Sequence, residues 1–420
     1  MRVRLDYGVD GLDVELPDDR VTVIEPHAKP ALADPRAALA AALRAPLGRP
    51  PLRDLVRAGQ TVAISVCDVT RAQPRRETLE AIFAELPQLA PGDVTILIAT
   101  GTHRINTPAE IEQMLGREIA AGYRIVNHDS RDASTLVSAG TTTRGVPVSM
   151  NRIWMEADVR ITTGFVEPHF FAGFSGGPKG IMPGIAGLHT VMSNHGARNI
   201  GDPKSAFGIT EGNPIWEEMR DIALRAGQAF LLNVTLNETK QITGVFAGDL
   251  LAAHKVGFEF VRRSAMQKVK SAFEVVVTTN SGYPLDLNLY QGVKGMSAAA
   301  RIVQPGGTII LACECREGVP AGSPLDALLR SASSPEEILA MLATPGFVRP
   351  EQWQAQIQSL IQRRANVLVY SSLTDEVIRS SHLKPCRDIT ATVKARLSEL
   401  GPEARVAVLP QGPLTIPYLA

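Results

Sequence analysis

Residues 61–104 read TVAISVCDVTRAQPRRETLEAIFAELPQLAPGDVTILIATGTHR. This stretch opens with a run of β-branched and apolar residues, TVAISV (61–66), and a second run, VTILIA (94–99), follows after a helical pattern. Two apolar strands separated by a helix are typical of a βαβ unit, in which the strands lie parallel in one sheet. The stretch therefore predicts an α/β fold.

The same alternation continues along the chain. Further runs in the N-terminal part are YRIVN (123–127), GVPVSM (145–150), DVRITTGF (158–165), FLLNVTLN (230–237) and ITGVFAGD (242–249). A helical segment near 249–268 leads to a second series, EVVVTTN (274–280), TIILACE (308–314) and NVLVYSS (366–372). Because single hydrophobic cores stop growing near about 250–300 residues, a chain of 420 residues favours two cores.

We therefore predict two Rossmann-like α/β domains with mainly parallel sheets and an active site in the cleft between them. The N-terminal domain is predicted to span residues 1–260 and to carry the glycine-rich segment described below, and the C-terminal domain residues 268–400. A final run, RVAVLPQG (405–412), predicts one more strand. We expect this strand, within residues 403–420, to return to the N-terminal domain.

Composition argues against several classes of partner. Lys and Arg total 43, as do Asp and Glu, and their even scatter provides no basic stripe for nucleic acid or an anionic membrane. No segment resembles a signal peptide or the ~18 consecutive apolar residues of a membrane span, so we expect a cytoplasmic protein. The four cysteines are too unevenly placed for a disulfide framework. The oligomeric state is left open.

Charged, titratable or hydrogen-bonding side chains follow three successive strands of the predicted N-terminal sheet. They are Asp68, Thr70 and Arg71 after the first strand, His103 after the second, and His128 after the third. Each one alone has an ordinary explanation as a helix cap, a solvated charge or a loop histidine. Because ligands bind at the carboxyl ends of parallel strands, the group together favours a functional site.

A glycine-rich segment, GFVEPHFFAGFSGGPKGIMPG (164–184), contains the most unusual motif. A nucleotide-binding Walker loop counted from Gly173 would need glycine and a hydroxyl residue where the chain has Pro178 and Gly180, which disfavours nucleoside triphosphate chemistry. Gly176 and Gly177 allow the backbone to approach an anion closely. The segment also holds Lys179, a candidate for covalent attachment, and His169, and His195 follows it. Exposure of the lysine and packing of the rings are the ordinary alternatives.

In the second half of the chain, Tyr290, Gln291 and Lys294 lie at the start of a predicted helix, where anion recognition is physically natural. Gln291 and Lys294 are three residues apart and share a helix face, although a solvated face would have the same spacing. Trp353 is by default a core or lid aromatic residue.

Taken together, these motifs resemble those of the nickel-dependent lactate racemase family. They are DVTR (68–71), GTHR (101–104), EPHFFAGFSGGPKGIMPG (167–184), NH (194–195) and YQGVKG (290–295). The resemblance implies an isomerase, a racemase or epimerase, that inverts C2 of a small 2-hydroxy carboxylate, either lactate or a longer hydroxy or sugar acid. It implies hydride transfer through a 2-keto acid intermediate, and maturation proteins that make the cofactor.

The resemblance also implies a cofactor and a role for each site residue. The cofactor would be a nickel-pincer nucleotide, pyridinium-3,5-bisthiocarboxylic acid mononucleotide with nickel, joined covalently to Lys179 and bound through its metal by His195. Further cofactor contacts would come from Asp68, which could instead orient Arg71, and from Thr70, Gly176 and Gly177. His103 and His169 would be the two general acid/base residues. Arg71 and Lys294 would hold the substrate carboxylate, with Gln291, Tyr290 and Trp353 as further substrate contacts.

Hydride transfer is also reasonable on chemical grounds. The carboxylate beside C2 resists further negative charge, so direct removal of the C2 proton faces a large barrier. Removal of hydride gives a planar keto acid, and return of hydride to its other face gives the opposite enantiomer. Such a reaction needs a base for each enantiomer's hydroxyl, a clamp on the carboxylate and a closed site.

One departure from the lactate-specific pattern affects the expected substrate. After Arg71 the chain reads AQP, where that pattern is more apolar, and we expect Gln73 to hydrogen-bond the additional hydroxyls of a longer substrate. The alternative function is that of a non-catalytic nucleotide- or nickel-binding protein of the same fold. The presence of the lysine, both histidines and the arginine favours catalysis.

Overall fold

A computed structural model describes residues 1–27, 29–227, 229–320 and 322–419. The chain forms two compact units. The N-terminal unit comprises Ala28–His195 and Ile209–Arg262, and the C-terminal unit comprises Met1–His27, Gly196–Gly208 and Arg263–Ala420. No helix in the described ranges is long and apolar enough to cross a membrane.

Strands and helices alternate along most of the chain. The strands are β1 (Arg2–Leu5), β2 (Leu12–Glu15), β3 (Val21–Val23), β4 (Val62–Cys67), β5 (Val94–Ala99), β6 (Arg124–Asn127), β7 (Leu136–Thr141), β8 (Pro147–Asn151), β9 (Val159–Phe165), β10 (Pro168–His169), β11 (Gly173–Phe174), β12 (Ala229–Leu236), β13 (Ile242–Asp249), β14 (Met266–Val269), β15 (Phe273–Thr279), β16 (Val303–Ala312), β17 (Asn366–Tyr370), β18 (Lys384–Pro385), β19 (Val406–Leu409) and β20 (Ile416–Leu419). The helices are α1 (Pro35–Arg44), α2 (Leu52–Leu55), α3 (Arg75–Glu85), α4 (Pro108–Leu115), α5 (Arg117–Gly122), α6 (Arg152–Glu156), α7 (Leu188–Asn194), α8 (Ala197–Ile200), α9 (Pro214–Arg225), α10 (Leu250–Ala265), α11 (Leu289–Ala299), α12 (Pro324–Arg330), α13 (Pro335–Ala343), α14 (Gln352–Arg364), α15 (Asp375–Ser380) and α16 (Ile389–Leu400).

The N-terminal unit is built on a sheet with the strand order β13-β12-β9-β4-β5-β6. All of its neighbouring strands are parallel except β13, which runs antiparallel to β12 at one edge. Ile64, Ile96 and Ile161 on the central strands are fully buried. Leu79 and Ile82 of α3 pack into the same core, three residues apart on one helix face. Burial of both sheet faces explains why these strands are continuous apolar runs.

The register of this sheet places the functional loops on one edge. Cys67 at the end of β4 pairs with Ala99 at the end of β5, and Ser65 of β4 pairs with Thr162 of β9. The loops that follow β4, β5 and β9 therefore leave the sheet on the same side, as the rule for parallel sheets predicts.

In the C-terminal unit the sheet has the order β18-β17-β16-β15-β19-β3, and every neighbouring pair is parallel. Its core includes Val277, Ile310 and Val408, all without exposed surface. The predicted α/β class with two mainly parallel domains is confirmed.

The domain division differs from the expected one in the placement of both chain ends and of Gly196–Gly208, which all belong to the C-terminal unit. Strand β19 (Val406–Leu409), which we expected in the N-terminal domain, pairs with β15 in the C-terminal sheet, and β3 pairs with β19. Strand β19 lies between β15 and β3, so it is an interior member of that sheet, and all four of its residues are buried. The run GVPVSM also differs, because β8 forms an antiparallel hairpin with β7 outside the main sheet.

Candidate active site in the N-terminal unit

Asp68 and His103, from the loops after β4 and β5, form a carboxylate–imidazole pair. The Oδ2 atom of Asp68 lies 2.6 Å from Nδ1 of His103, and Oδ1 accepts from the backbone N–H of Thr70 at 3.2 Å and from its hydroxyl at 2.6 Å. Burial alone would raise the pKa of Asp68, but the hydrogen bond and charge of His103 and the charge of Arg71 outweigh it and lower this pKa to about 2. The carboxylate is therefore ionised and accepts a hydrogen bond from the Nδ1–H of His103, so that Nε2 carries the lone pair whenever this imidazole is neutral.

The loop that carries Asp68 and Arg71 is held by a second arginine that the sequence analysis missed. The Arg75 guanidinium, only 6% exposed, donates to the carbonyl oxygens of Cys67 at 2.7 Å and Arg71 at 2.7 Å, and also to that of Asp68. Arg75 lies at the start of α3, where its sequence context gives no signal beyond a helix N-terminus. Arg71 itself is partly exposed, and its charge acts on both Asp68 and Lys179.

The expectation for Gln73 is wrong. Its side chain is 4% exposed, its Oε1 accepts from the backbone N–H of Cys67 at 2.7 Å, and its Nε2 donates to the Thr163 hydroxyl at 2.7 Å. Both ends of the amide are thus used to join the β4 loop to β9. A residue with these internal partners is a structural link and is not positioned to recognise substrate hydroxyls.

His128 has a structural role as well. The imidazole is fully buried, with Nε2 2.9 Å from the carbonyl oxygen of Ala186 and Nδ1 3.2 Å from the side-chain nitrogen of Asn151. Burial lowers the pKa of His128, so the ring is neutral and its two nitrogens have opposite hydrogen-bonding roles. This histidine supports the chain just after the glycine-rich segment, at Ala186.

The glycine-rich segment follows β9 and folds back on itself through the short hairpin of β10 and β11. His169 lies in this hairpin, and its Nδ1 accepts from the backbone N–H of Ala172 at 3.3 Å. The ring of Phe171 lies 4.5 Å from the ring of His169 and 5.0 Å from that of His195, edge to face with both. The phenyl ring therefore brings the two candidate histidines into one cluster.

Lys179 follows a turn that only glycine can form. The N–H of Gly177 donates to Oδ1 of Asn233 on β12 at 2.8 Å. A Cβ on Gly176 would lie 2.4 Å from that oxygen, and a Cβ on Gly177 would lie 2.3 Å from Cγ of His254 on α10. Both glycines also have positive φ angles, which favour glycine. Asn233 and His254 thus fix the turn that presents the lysine, and neither was identified from the sequence.

The electrostatic environment of Lys179 lowers the pKa of its amine. Burial, and then the positive charge of Arg71, lower the pKa of Lys179 to about 8. Near neutral pH a useful fraction of the amine is therefore unprotonated and nucleophilic, as covalent attachment requires. The predicted role of Lys179 is chemically consistent with this environment.

His195 directly follows α7 and is 4% exposed. Its Nδ1 lies 2.9 Å from Oδ1 of Asn194. Burial, followed by the charge of Lys179, lowers the pKa of His195 to about 3, so the imidazole is neutral at physiological pH. A neutral imidazole is the form that binds metal ions. Among the described residues no group of three His, Cys, Asp or Glu side chains is placed to hold a metal ion together.

The remaining predicted site residues belong to the C-terminal unit. Tyr290, Gln291 and Lys294 lie in α11, whose first turn is capped by the Asn288 side chain accepting from the Gln291 N–H at 3.2 Å. Trp353 of α14 is 6% exposed and its Nε1 donates to the hydroxyl of Tyr290 at 3.2 Å. The structure thus brings Trp353 and Tyr290 together.

The fold is that of an α/β enzyme, and the candidate catalytic residues of the N-terminal unit lie at the carboxyl edge of its parallel sheet. Residues 7–208 match the lactate racemase N-terminal domain family, and residues 267–416 match the lactate racemase C-terminal domain family. The chain belongs to the lactate racemase family, and it is an isomerase of the racemase type.

Individual relatives agree with this placement. A lactate racemase of Thermoanaerobacterium thermosaccharolyticum is 34% identical over 418 residues, covering 98% of this chain and 97% of the relative. A lactate racemase of Lactiplantibacillus plantarum is 37% identical over 371 residues, 87% of each chain. The lactate racemase apoprotein structure from T. thermosaccharolyticum superimposes with a TM-score of 0.92 at 33% identity, covering 99% of this chain and 100% of that one. A Thermotoga maritima protein with a TM-score of 0.68 and 19% identity, over 92% and 98% of the chains, shares the fold.

Proposed function

We propose that this protein racemises lactate, using a nickel-pincer nucleotide attached to Lys179. The observation that carries the proposal is a lysine with a pKa near 8 that interacts electrostatically with Arg71, with the Asp68 of the Asp68–His103 pair and with the buried His195. An amine that can be acylated, a neutral imidazole and an oriented base are the groups that such a reaction needs from the protein.

The residues present fit this cofactor. A neutral amine at Lys179 can form the thioamide link, and a neutral imidazole nitrogen at His195 suits nickel. The cofactor, when bound, supplies a reversible acceptor for the hydride on C2 of the substrate. The soft sulfur ligands of the metal belong to the cofactor, so the four free cysteines of the chain have no required role.

His103 is the better defined of the two proposed acid/base residues. Asp68 orients it, so that Nε2 can remove the proton from the substrate hydroxyl and later return it. His169 is proposed to serve the opposite enantiomer. Its ring packs edge to face on Phe171 and accepts a long hydrogen bond from the N–H of Ala172, and both contacts orient the imidazole.

Arg71 is proposed to hold the substrate carboxylate with its planar guanidinium, together with Lys294 as a point charge. Gln291, Tyr290 and Trp353 are proposed as further substrate contacts, and the Trp353–Tyr290 hydrogen bond supports a joint role for these two. We propose Thr70 as a cofactor contact, since it is exposed beside Asp68 and its hydroxyl orients that carboxylate.

Lactate is proposed ahead of a longer hydroxy or sugar acid. The polar group that suggested additional substrate hydroxyls, Gln73, has both ends of its amide occupied inside the protein. The two relatives described above are both named lactate racemases. Because Gln73 is not available to bind additional hydroxyl groups, lactate is favoured over the longer candidate substrates.

The test is to express the chain with and without the cofactor-making maturation proteins. We expect an added mass on Lys179, about one nickel per adduct, and racemisation of lactate only after co-expression. Lactate deuterated at C2 should keep its label in the racemised product. Washout of deuterium to solvent would point to proton abstraction, and adduct with nickel but no racemisation of any 2-hydroxy acid would favour the non-catalytic alternative.

A further inference from the structure

Asn194, the residue before His195, connects that imidazole to a buried carboxylate. Its Oδ1 lies 2.9 Å from Nδ1 of His195, and its Nδ2 donates to the carbonyl oxygen of Ile215 at 3.2 Å and to Oε2 of Glu218 at 2.9 Å. Asn194 is fully buried and Glu218, on α9, is 4% exposed. The three side chains form a continuous chain of hydrogen bonds from Glu218 to His195.

This chain of hydrogen bonds allows one orientation of the amide. A carbonyl oxygen only accepts hydrogen bonds, and a carboxylate oxygen also accepts, so the side of Asn194 that faces Ile215 and Glu218 must be its NH₂ group. The opposite side, which faces His195, is then the amide oxygen. Because an amide oxygen only accepts, Nδ1 of His195 must carry the proton, and the lone pair of the neutral ring lies on Nε2.

We infer that Glu218 and Asn194 are positioning residues that hold His195 in its Nδ1-protonated tautomer, which makes Nε2 the nitrogen presented to nickel. This inference deepens the proposed function and rests on it. A histidine that binds a metal generally donates its other N–H to a carboxylate or carbonyl oxygen, which orients the ring. Here the amide oxygen of Asn194 accepts the hydrogen bond from that N–H, and the carboxylate of Glu218 acts on His195 through Asn194.

The Glu218 carboxylate holds the Asn194 amide in the orientation that keeps its oxygen towards His195. Without Glu218, the Asn194 NH₂ group would lose its charged acceptor and keep the longer bond to Ile215, and a rotated amide would turn that NH₂ group towards His195. That orientation favours the other tautomer, with the proton on the nitrogen that nickel needs. Loss of such outer partners lowers metal affinity by about 10-fold to 100-fold, and we expect that range for Asn194→Leu and a smaller loss for Glu218→Ala.

The tautomer can be measured in the protein before any cofactor is attached. In apoprotein labelled with ¹⁵N-histidine, with the His195 signals assigned by their loss in His195→Gln, we expect a protonated Nδ1 and an unprotonated Nε2. Glu218→Gln should preserve this state, since its amide oxygen can still accept from Asn194. The matched control is Glu217→Gln on the same helix, whose wild-type carboxylate accepts instead from the N–H of Gly212 at 2.8 Å.

In Asn194→Leu, a population of the Nε2-protonated tautomer is expected. Circular dichroism and thermal melting establish that each variant is folded, and Glu218→Ala provides a second route if Asn194→Leu fails to fold. A folded Asn194→Leu protein that keeps the wild-type tautomer overturns the inference.

Cofactor-loaded protein gives a second measurement besides activity. We expect Asn194→Leu to carry the Lys179 adduct as wild type does, while its nickel is lost to a chelator at about 10-fold to 100-fold lower chelator concentration. Equal nickel retention by adduct-bearing wild type and Asn194→Leu overturns this inference alone. A wild-type protein that gains neither adduct nor nickel overturns the proposed function, and with it the ligand role of His195.

Discussion

Replacement of Asp68 by asparagine should disable His103 as a base. The backbone N–H and hydroxyl of Thr70 both donate to Oδ1 of Asp68, so in Asp68→Asn the amide oxygen would remain on that side. The NH₂ group of the new amide would then face Nδ1 of His103, which would have to accept a hydrogen bond. The proton of neutral His103 would move to Nε2, where the substrate hydroxyl must be deprotonated.

The expected size of the effect comes from the carboxylate's environment. The fall of the Asp68 pKa from 3.8 to about 2 means that the folded protein favours the ionised carboxylate by about 2 kcal/mol, at about 1.4 kcal/mol for each tenfold change. The asparagine variant loses up to this amount of folding free energy at pH 7. Because the pKa is lowered on folding, the contribution is fully present above about pH 4 and disappears as the pH falls through about 2.

The loss of kcat in Asp68→Asn should be larger, as a free energy, than the loss of folding stability. A misoriented base costs about 10²-fold to 10⁴-fold in kcat. The assay is the rate of lactate racemisation from each enantiomer by protein matched for Lys179 adduct and nickel. Since the two enantiomers of lactate have equal free energy, kcat/KM must be the same from either enantiomer, in the variant as in wild type. Unequal values would therefore reveal an error in the assay.

A matched control exists in the same unit. The exposed Asp132 accepts from the N–H and hydroxyl of Ser134 in the same pattern as Asp68 and Thr70, at 3.0 and 2.6 Å. Within the described ranges its side chain is not hydrogen-bonded to a histidine. Asp132→Asn should leave kcat unchanged. If Asp68→Asn, folded and fully loaded, kept kcat within about threefold of wild type, the assignment of His103 as an oriented base would be refuted, since a lost base costs about 10²-fold or more.

Three further predictions concern Lys179, its turn and Gln73. The free energy of unfolding of the apoprotein should rise with pH between about 8 and 10.5, because the unfolded lysine binds a proton that the folded one has released, and Lys179→Met should lack this rise in urea titrations. Gly177→Ala should destabilise by more than about 2 kcal/mol, since its Cβ would overlap His254, whereas Gly145→Ala, also at positive φ but with open space around it, should cost about 1 kcal/mol; equal losses would contradict the steric argument. Gln73→Leu should lower stability by about 1–3 kcal/mol without changing the preference among 2-hydroxy acids, and a shift towards smaller substrates would contradict its structural role.

The local pattern of the sequence was sufficient for the fold class and for the grouping of Asp68 with His103. Apolar runs such as VTILIA (94–99) become buried parallel strands because burial of both faces requires continuous apolar sequence. Residues just after such runs meet at one sheet edge, which is why Asp68 and His103 could be grouped before their contact was known. The predicted helix near 249–268 is likewise present as α10.

Tertiary structure decided what depends on partners distant in the sequence. Gln73 points into the protein because its amide donates to the hydroxyl of Thr163 on strand β9. Glu218 is linked to His195 through Asn194 because α9 packs beside α7. Strand β19 joins the C-terminal sheet through pairing with β15, which no local periodicity encodes. Hydrophobic periodicity reports how one segment is buried, whereas strand order and side-chain hydrogen bonds depend on which segments meet, and only the folded chain determines that.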